Sequence, residues 1–473
     1  MSTPSPFEFA LNGERCTVTL DLLNKYNVPG PRYTSYPTAP EWSDEFGPAE
    51  FERTMADAEA ASPPRPISLY FHIPFCESLC LFCGCNVVIN RRKEVALPYL
   101  EHLKQEIARV SQWVSPERNV LQLHWGGGTP TYLSPAQTED LYGFITDHFH
   151  FAPDAEIGIE VDPRVTAEEQ VRLLRCLGFN RISMGVQDFN PLVQKTIRRI
   201  QPYELTKALV DLCRDEGFES TNVDLIYGLP HQTPESFADS VEKVITIHPD
   251  RIAMYSYAHV PWLKKQQKSF EKHIPRGVDK FLLFRTGIQL LTQAGYCYIG
   301  MDHFAKPDDE LTIAQQDKTL HRNFQGYSTR ADADLYAMGV SSISGIGGVY
   351  AQNHRDLPSY YQALDSGTLA TMRGCESTDD DMIRRTVISR MLCHCLIHKP
   401  EIEAEWGMQF DEYFAEDRSG LEELEADGLI TMNEDEIKAT PLGRIFLRNI
   451  GMVFDKYLRQ RQEGEKLVFS KTL

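Results

Sequence analysis

No run of apolar residues in this chain approaches the roughly 18 that a membrane-spanning helix requires. The opening stretch MSTPSPFEFALNGERC also lacks the basic start and apolar segment of a secretory leader. A membrane span and export are therefore not expected, and a cytoplasmic setting with reduced thiols is. Positive charge is short as well: 48 basic against 67 acidic residues leave a net charge of −19, the opposite of the basic footprint of a nucleic-acid binder. Internal repeats and low-complexity tracts are missing too, so the 473 residues read as globular sequence, enough for two or three domains.

What is concentrated is cysteine. Four of the eleven fall within ten residues of the stretch SLYFHIPFCESLCLFCGCN, Ser68 to Asn86, spaced Cys76-x3-Cys80-x2-Cys83-x-Cys85. Thiols this close rarely meet disulfide geometry without strain, so a metal or an iron–sulfur cluster is the expected occupant. Two blander readings stand beside it: a structural zinc, normally built from separated cysteine pairs, and scattered buried thiols. Three cysteines at x3, x2 spacing can hold three irons of a cubane and leave the fourth open to a cofactor or substrate.

From Ile67 onward, short apolar runs alternate with amphipathic stretches. Strands are expected at Ser68 to Ile73, Val120 to Trp125, Glu156 to Val161, Arg181 to Val186, Thr221 to Tyr227 and Arg251 to Tyr257. Helices are expected near Leu97 to Val114, Pro135 to His148, Ala167 to Cys176, Pro202 to Glu216 and Pro234 to Ile247. Such alternation argues for an α/β fold with a parallel sheet, either doubly wound or a partial (β/α)6 barrel. In both, ligands gather at the carboxyl ends of the strands. Chemistry-bearing residues fall there in all six cases: the cysteine loop; Gly126 to Thr129; Glu160 and Asp162; Gln187 and Asp188; Asp224 and Gly228; Tyr257 to His259.

Residues 1–60 read as an N-terminal arm with little regular periodicity, 61–350 as the catalytic barrel with an extension, and 351–473 as a mostly helical domain. In that last part Arg384 to Leu396 and Leu421 to Leu429 look helical, Ile430 to Ala439 a hairpin, and Pro441 to Gln460 one last helix, a set compatible with a winged-helix-like module or a packing domain over the barrel mouth. Cys393 and Cys395 read as buried thiols.

The cysteine stretch, with a strand before it and Phe82 before its third cysteine, resembles the cluster loop of radical S-adenosylmethionine (SAM) enzymes. PRYTSYP from Pro31, HWGGGTPTYL, IEVDPR, GVQDFN, DLIYGLP, YAHVP, GMDHFA and YAQN follow in the order found in oxygen-independent coproporphyrinogen III oxidases. This resemblance implies the partial barrel, a [4Fe-4S] cluster on Cys76, Cys80 and Cys83 with Cys85 left over, and two SAM molecules. Tyr70, Gly127, Glu160 and Ile343 match positions around the first SAM; Phe82, Gly128, Thr129, Gln187, Arg199, Asp224 and Ala258 match positions around the second. It further implies conversion of two propionates of coproporphyrinogen III to vinyl groups by a 5′-deoxyadenosyl radical, an electron donor and acceptor of unspecified kind, and a monomer. Arg32 and Tyr33 of the arm are candidates to meet the substrate. Related haem chaperones usually lack the PRYTSYP arm and carry an aromatic at the position of Cys85.

Overall fold

A computed structural model describes residues 6–330, 333–461 and 469–472. Twelve strands form one sheet. Six carry the parallel barrel: β1 (Ile67–Ile73), β2 (Val120–Gly127), β3 (Phe151–Val161), β4 (Arg181–Gln187), β5 (Ser220–Tyr227) and β6 (Arg251–Ser256). Six more extend its edges: β7 (Cys297–Gly300), β8 (His303–Ala305), β9 (Asp334–Met338), β10 (Ile343–Ile346), β11 (Val349–Asn353) and β12 (Thr371–Glu376). The order is β7-β8-β6-β5-β4-β3-β2-β1-β9-β10-β11-β12. Pairing is parallel from β6 through β1 to β9 and antiparallel beyond. Because β7 and β12 do not pair, the sheet curls without closing, a partial (β/α)6 barrel with added edge strands.

Parallel strands covered on both faces usually read as continuous apolar runs; these alternate. Leu69, Phe71, Leu123, Trp125, Ile159, Ile182, Met184, Val223, Leu225, Ile252 and Met254 are buried, and the next residues in register, Gln122, His124, Glu156, Arg181, Ser183, Asn222, Asp224 and Arg251, line a cavity on the other face. A period of two puts these sets on opposite faces. The apolar face is covered by helices α1 (Leu97–Val110), α2 (Pro135–His148), α3 (Glu168–Cys176), α4 (Tyr203–Asp215), α5 (Pro234–Ile247) and α6 (Val278–Gln293). Ser134 and Thr233 cap α2 and α5, with proline at the first position of each.

The N-terminal part is more regular than its weak periodicity suggests. It holds a hairpin (Phe7–Leu11 with Glu14–Val18), a helix at Leu20–Tyr26 and another at Pro48–Ala60; only the segment around residues 29–37 runs extended. Toward the other end, α7 (Asp379–His394) leads into a three-stranded sheet of Leu396–His398, Glu436–Ala439 and Ile430–Met432. Cys395 takes the left-handed conformation (φ 55°) and stops α7 short of Leu396; it and Cys393 are buried. The single helix expected over Pro441 to Gln460 is broken into Gly443–Phe446, Leu447–Val453 and Lys456–Gln460. The last break has a cause: the Asp455 carboxylate accepts the Tyr457 and Leu458 N–H groups and starts a new helix. Among the described residues no helix is long and apolar enough to cross a membrane.

Candidate active site

The carboxyl ends of β1 to β5 surround a cavity of about 170 Å³. Cys76, Cys80, Cys83 and Cys85 line it from the loop after β1; Gly127, Gly128 and Thr129 from the loop after β2; Glu160, Gln187, Arg199 and Asp224 from β3, β4, the turn after Pro191–Thr196, and β5. Phe82 lines it too. A second chamber of about 370 Å³ shares Cys85, Gly127 and Glu160 and adds Tyr70 and Ile343. Three expected residues line neither cavity. Ala258 is exposed, tied in only through its carbonyl, which accepts from Gln267 at 3.3 Å. Arg32 is committed elsewhere: its guanidinium donates to buried Asp302 at 2.6 Å. Tyr33 is buried, donates to Asp455 at 2.9 Å and lines a third cavity described below.

The glycines permit a close backbone approach. Gly127 has φ +113°, and a Cβ there would lie 2.6 Å from the His72 ring; one on Gly128 would lie 2.6 Å from the Pro74 carbonyl. The Gly128 and Thr129 N–H groups donate to Ile73 and Phe75 at 2.8 and 2.9 Å, locking the two loops together. Glu160 accepts the Gly127 N–H at 3.1 Å and lies 3.5 Å from His124 Nε2. Burial alone would raise its carboxyl, but these partners hold it below the ordinary value. Tyr70 stacks on His124 and hydrogen-bonds His72 Nδ1 at 3.2 Å; His72 Nε2 donates to the Asn86 carbonyl at 3.1 Å, which fixes the ring against the end of the cysteine loop.

Two guanidinium groups reach one of the sulfurs, while burial pushes the Cys76 thiol up to about 11. Arg164 Nη2 and Arg199 Nη1 lie 3.4 and 3.6 Å from Cys80 Sγ, both anchored on Asp162, which accepts from Arg199 at 3.0 Å. Thr129 Oγ1 lies 3.4 Å from Cys76 Sγ. The neighbouring Cys85 draws the Cys83 thiol below its ordinary value and is itself raised. Asp224 is pushed the other way, up to about 7, by burial and then by Glu160. The three thiols line one cavity, yet among the described residues no three His, Cys, Asp or Glu side chains converge to hold a single ion.

Sequence reasoning passed over the clamp on this loop. Gln267, fully buried in the irregular stretch after β6, donates to the Phe82 carbonyl at 2.9 Å and accepts the Val260 N–H at 2.7 Å. Lys264 donates to the Cys85 carbonyl at 2.6 Å and Gln266 to that of Cys83 at 3.3 Å. No periodicity marks these residues; they lie in a 3-10 stretch, Lys265–His273, and the loop before it.

A model of the radical SAM superfamily matches residues 70–244, and one described as the HemN C-terminal domain matches residues 378–446. The oxygen-independent coproporphyrinogen III oxidase of Salmonella typhimurium is 51% identical over 455 residues, covering 96% of this chain and 98% of that protein. The chain belongs to the oxygen-independent coproporphyrinogen III oxidase family. The family member of Helicobacter pylori strain 26695 is 41% identical over 459 residues, 97% of this chain and all of that one. A solved structure reported as coproporphyrinogen III oxidase (HemN) from Escherichia coli, a radical SAM enzyme, superposes with a TM-score of 0.87 at 48% identity, covering 90% of this chain and 97% of that chain. Family membership implies a [4Fe-4S] cluster and SAM, and the cysteine cavity is the place with the donors to hold them.

Proposed function

We propose that this chain carries out oxygen-independent oxidative decarboxylation of coproporphyrinogen III, turning two propionates into vinyl groups and giving protoporphyrinogen IX for haem synthesis. The observation that carries the reading is 51% identity over 96% of the chain to a protein named for that activity, in a fold whose strand ends bring the cysteine loop, Glu160 and Asp224 to one cavity. Cys76, Cys80 and Cys83 are assigned to the cluster and Cys85 is not. Bound together, the cluster and SAM supply hydrogen-abstracting radical chemistry.

The chain's own groups have three tasks. Arg164 and Arg199 place positive charge against the Cys80 sulfur. Glu160, kept ionised, and the bare backbone at Gly127 suit the amino and hydroxyl groups of a first SAM beside Tyr70 and Ile343. Phe82, Gly128, Thr129, Gln187, Arg199, Asp224 and Ala258 are assigned to a second.

A substrate with four carboxylates needs cationic partners. Arg32 holds Asp302 through Nη1, and we assign the further pairing to the cavity between the arm, β9 and α7. It is lined by Tyr33, Arg322 and Arg385 and adjoins the 370 Å³ chamber through Phe324 and Leu335. Arg322 is buried, and its Nη1 has no partner among the described residues. We further assign the chain to the cytoplasm, acting as a monomer with an external electron donor and acceptor. Anaerobic incubation of cluster-loaded protein with SAM, dithionite and coproporphyrinogen III, followed by chromatography of the oxidised porphyrins, tests the reading. Protoporphyrin is expected; recovery of coproporphyrin alone, with SAM consumed, would refute it.

A further inference from the structure

The chain is strongly acidic, yet the surface bonded to the cysteine loop is basic and apolar. Three segments touch that loop directly. Val88–Ile89 pairs with Phe75–Cys76; the Ile197 carbonyl accepts the Leu81 N–H at 2.9 Å; and Lys264, Gln266 and Gln267 donate to the Cys85, Cys83 and Phe82 carbonyls. Eight large apolar side chains stand exposed among the described residues, and five lie in these segments or within five residues of them in sequence: Ile89, Leu192, Ile200, Trp262 and Leu263. Trp262 and Leu263 are 54% and 66% exposed, which is unusual content for a surface with no partner.

The charges there are equally distinctive. Lys264, Lys265, Lys268 and Lys272 follow Trp262, with Glu271 the one acid between residues 258 and 276; Lys195 and Arg198 flank the turn beside Ile200. Among the described residues none of these six cations forms an ion pair, whereas Glu271 is taken by Arg276 at 3.5 Å. On a chain of net charge −19, this rim is where an acidic protein would be attracted rather than repelled.

We propose that the rim around the cysteine loop is the docking surface for a small acidic protein that carries a single electron. This rests on the radical SAM reading, which requires one electron to enter the cluster for each SAM cleaved. The docked carrier is oxidised by one electron and the cysteine-held cluster reduced by one, with no bond made or broken and no proton moved. The lysines steer the encounter, and Trp262 and Leu263 supply the dry centre that large apolar side chains give an interface.

The test uses cluster-loaded protein, with flavodoxin and plant-type ferredoxin as probes. Binding of each oxidised carrier is measured at 50 and 500 mM salt, and SAM cleavage is driven either by the reduced carrier or by dithionite. The double variants Lys265→Glu/Lys268→Glu and Lys195→Glu/Arg198→Glu are each expected to weaken carrier binding about tenfold or more and to slow carrier-driven cleavage in proportion. Dithionite-driven cleavage and the cluster absorbance should not change. High salt should bring the unaltered protein down to the level of the variants, since it shortens the reach of charge from about 14 Å to about 4 Å. Trp262→Ala should weaken binding without changing its salt dependence, and the distant exposed Lys438→Glu should do nothing.

Binding of both carriers that is unchanged in the double variants, or indifferent to salt, would overturn the proposal. So would an equal loss of rate under dithionite, or a rim that retains duplex DNA or anionic vesicles while ignoring both carriers. If the unaltered protein cleaves no SAM even with dithionite, the radical reading itself fails, and the docking surface with it.

Discussion

Replacing Gln267 with alanine touches no candidate ligand, yet it should loosen the cysteine loop. The side chain is fully buried and makes three hydrogen bonds: to the Phe82 carbonyl at 2.9 Å, to the Ala258 carbonyl at 3.3 Å and from the Val260 N–H at 2.7 Å. Ala258 is exposed and regains water, so its loss counts for little. The Phe82 carbonyl and the Val260 N–H are partly shielded, and an abandoned buried group costs about 1–3 kcal/mol. A total of about 2–4 kcal/mol against the closed loop raises its open fraction by about 30-fold to about 1000-fold. The assay is chelator-dependent iron release from reconstituted protein, followed by absorbance. Gln267→Met, which keeps bulk but loses the bonds, should release iron nearly as fast as Gln267→Ala. Gln266→Ala, which loses one long bond to Cys83, should stay within a few-fold of the unaltered protein. Release at the unaltered rate from both Gln267 variants would refute the clamp.

Cys76, Cys80 or Cys83 to alanine should abolish cluster retention, whereas Cys85→Ser should keep it; iron loss from Cys85→Ser equal to that from Cys83→Ala would overturn the three-ligand assignment. Asp224, lifted to about 7 by burial and then by Glu160, is protonated below that pH and gains its charge above it. With Glu160, Arg199, His124 and Asn222 facing it, affinity for cationic SAM in equilibrium dialysis should climb several-fold from pH 6 to pH 8. Asp224→Asn should flatten the climb; a flat profile in the unaltered protein, or one SAM per chain at saturation, contradicts the second site. Arg322→Met should weaken coproporphyrinogen binding by about 1.5–3 kcal/mol, the range for a hydrogen bond to a charged group, with SAM cleavage intact, and should not discriminate against an analogue whose matching propionate is esterified; an unchanged KM refutes the assignment. Deleting residues 1–37 is expected to unfold the chain rather than merely uncouple it. Phe9, Leu11, Val18, Leu23, Tyr33 and Tyr36 are core residues, at about 1.5–3 kcal/mol each against a total stability of about 5–15. A truncated protein with an unaltered melting transition would show otherwise.

The barrel was legible because its strands and helices are long and their periods differ. Pro135–His148 and Pro234–Ile247 fall where proline at the first turn and a Ser or Thr cap placed them, and all six strands lie within a few residues of expectation. What escaped is short. β7 to β12 are three to six residues each, and β9, with all five residues buried, has no alternation to read. The strand-end rule brought Glu160, Gln187 and Asp224 together because geometry, not local pattern, makes parallel strands deliver their carboxyl ends to one side. The Arg32–Asp302 pair escaped for the complementary reason: the two are 270 residues apart, and no local signal announces a buried ion pair. Gln267 and Arg322 lie on irregular or short elements, where spacing carries no information.

The extended arm is joined to residues far along the chain. The Arg448 guanidinium donates to the carbonyls of Gly30 and Pro31 and, at 2.9 Å, to that of Lys471. Gly30 N–H donates to Ser470 at 3.1 Å, Thr472 N–H to Val28 at 2.8 Å, and the Thr472 hydroxyl to Tyr26, 446 residues earlier. At about 5–20 residues per second of synthesis, residues 26–31 wait about 20–90 s on the ribosome before these partners exist. The arm that borders the site is thus among the first segments made and among the last secured. The barrel strands and the cysteine loop are synthesised before the partners that pin the arm beside Tyr33 exist.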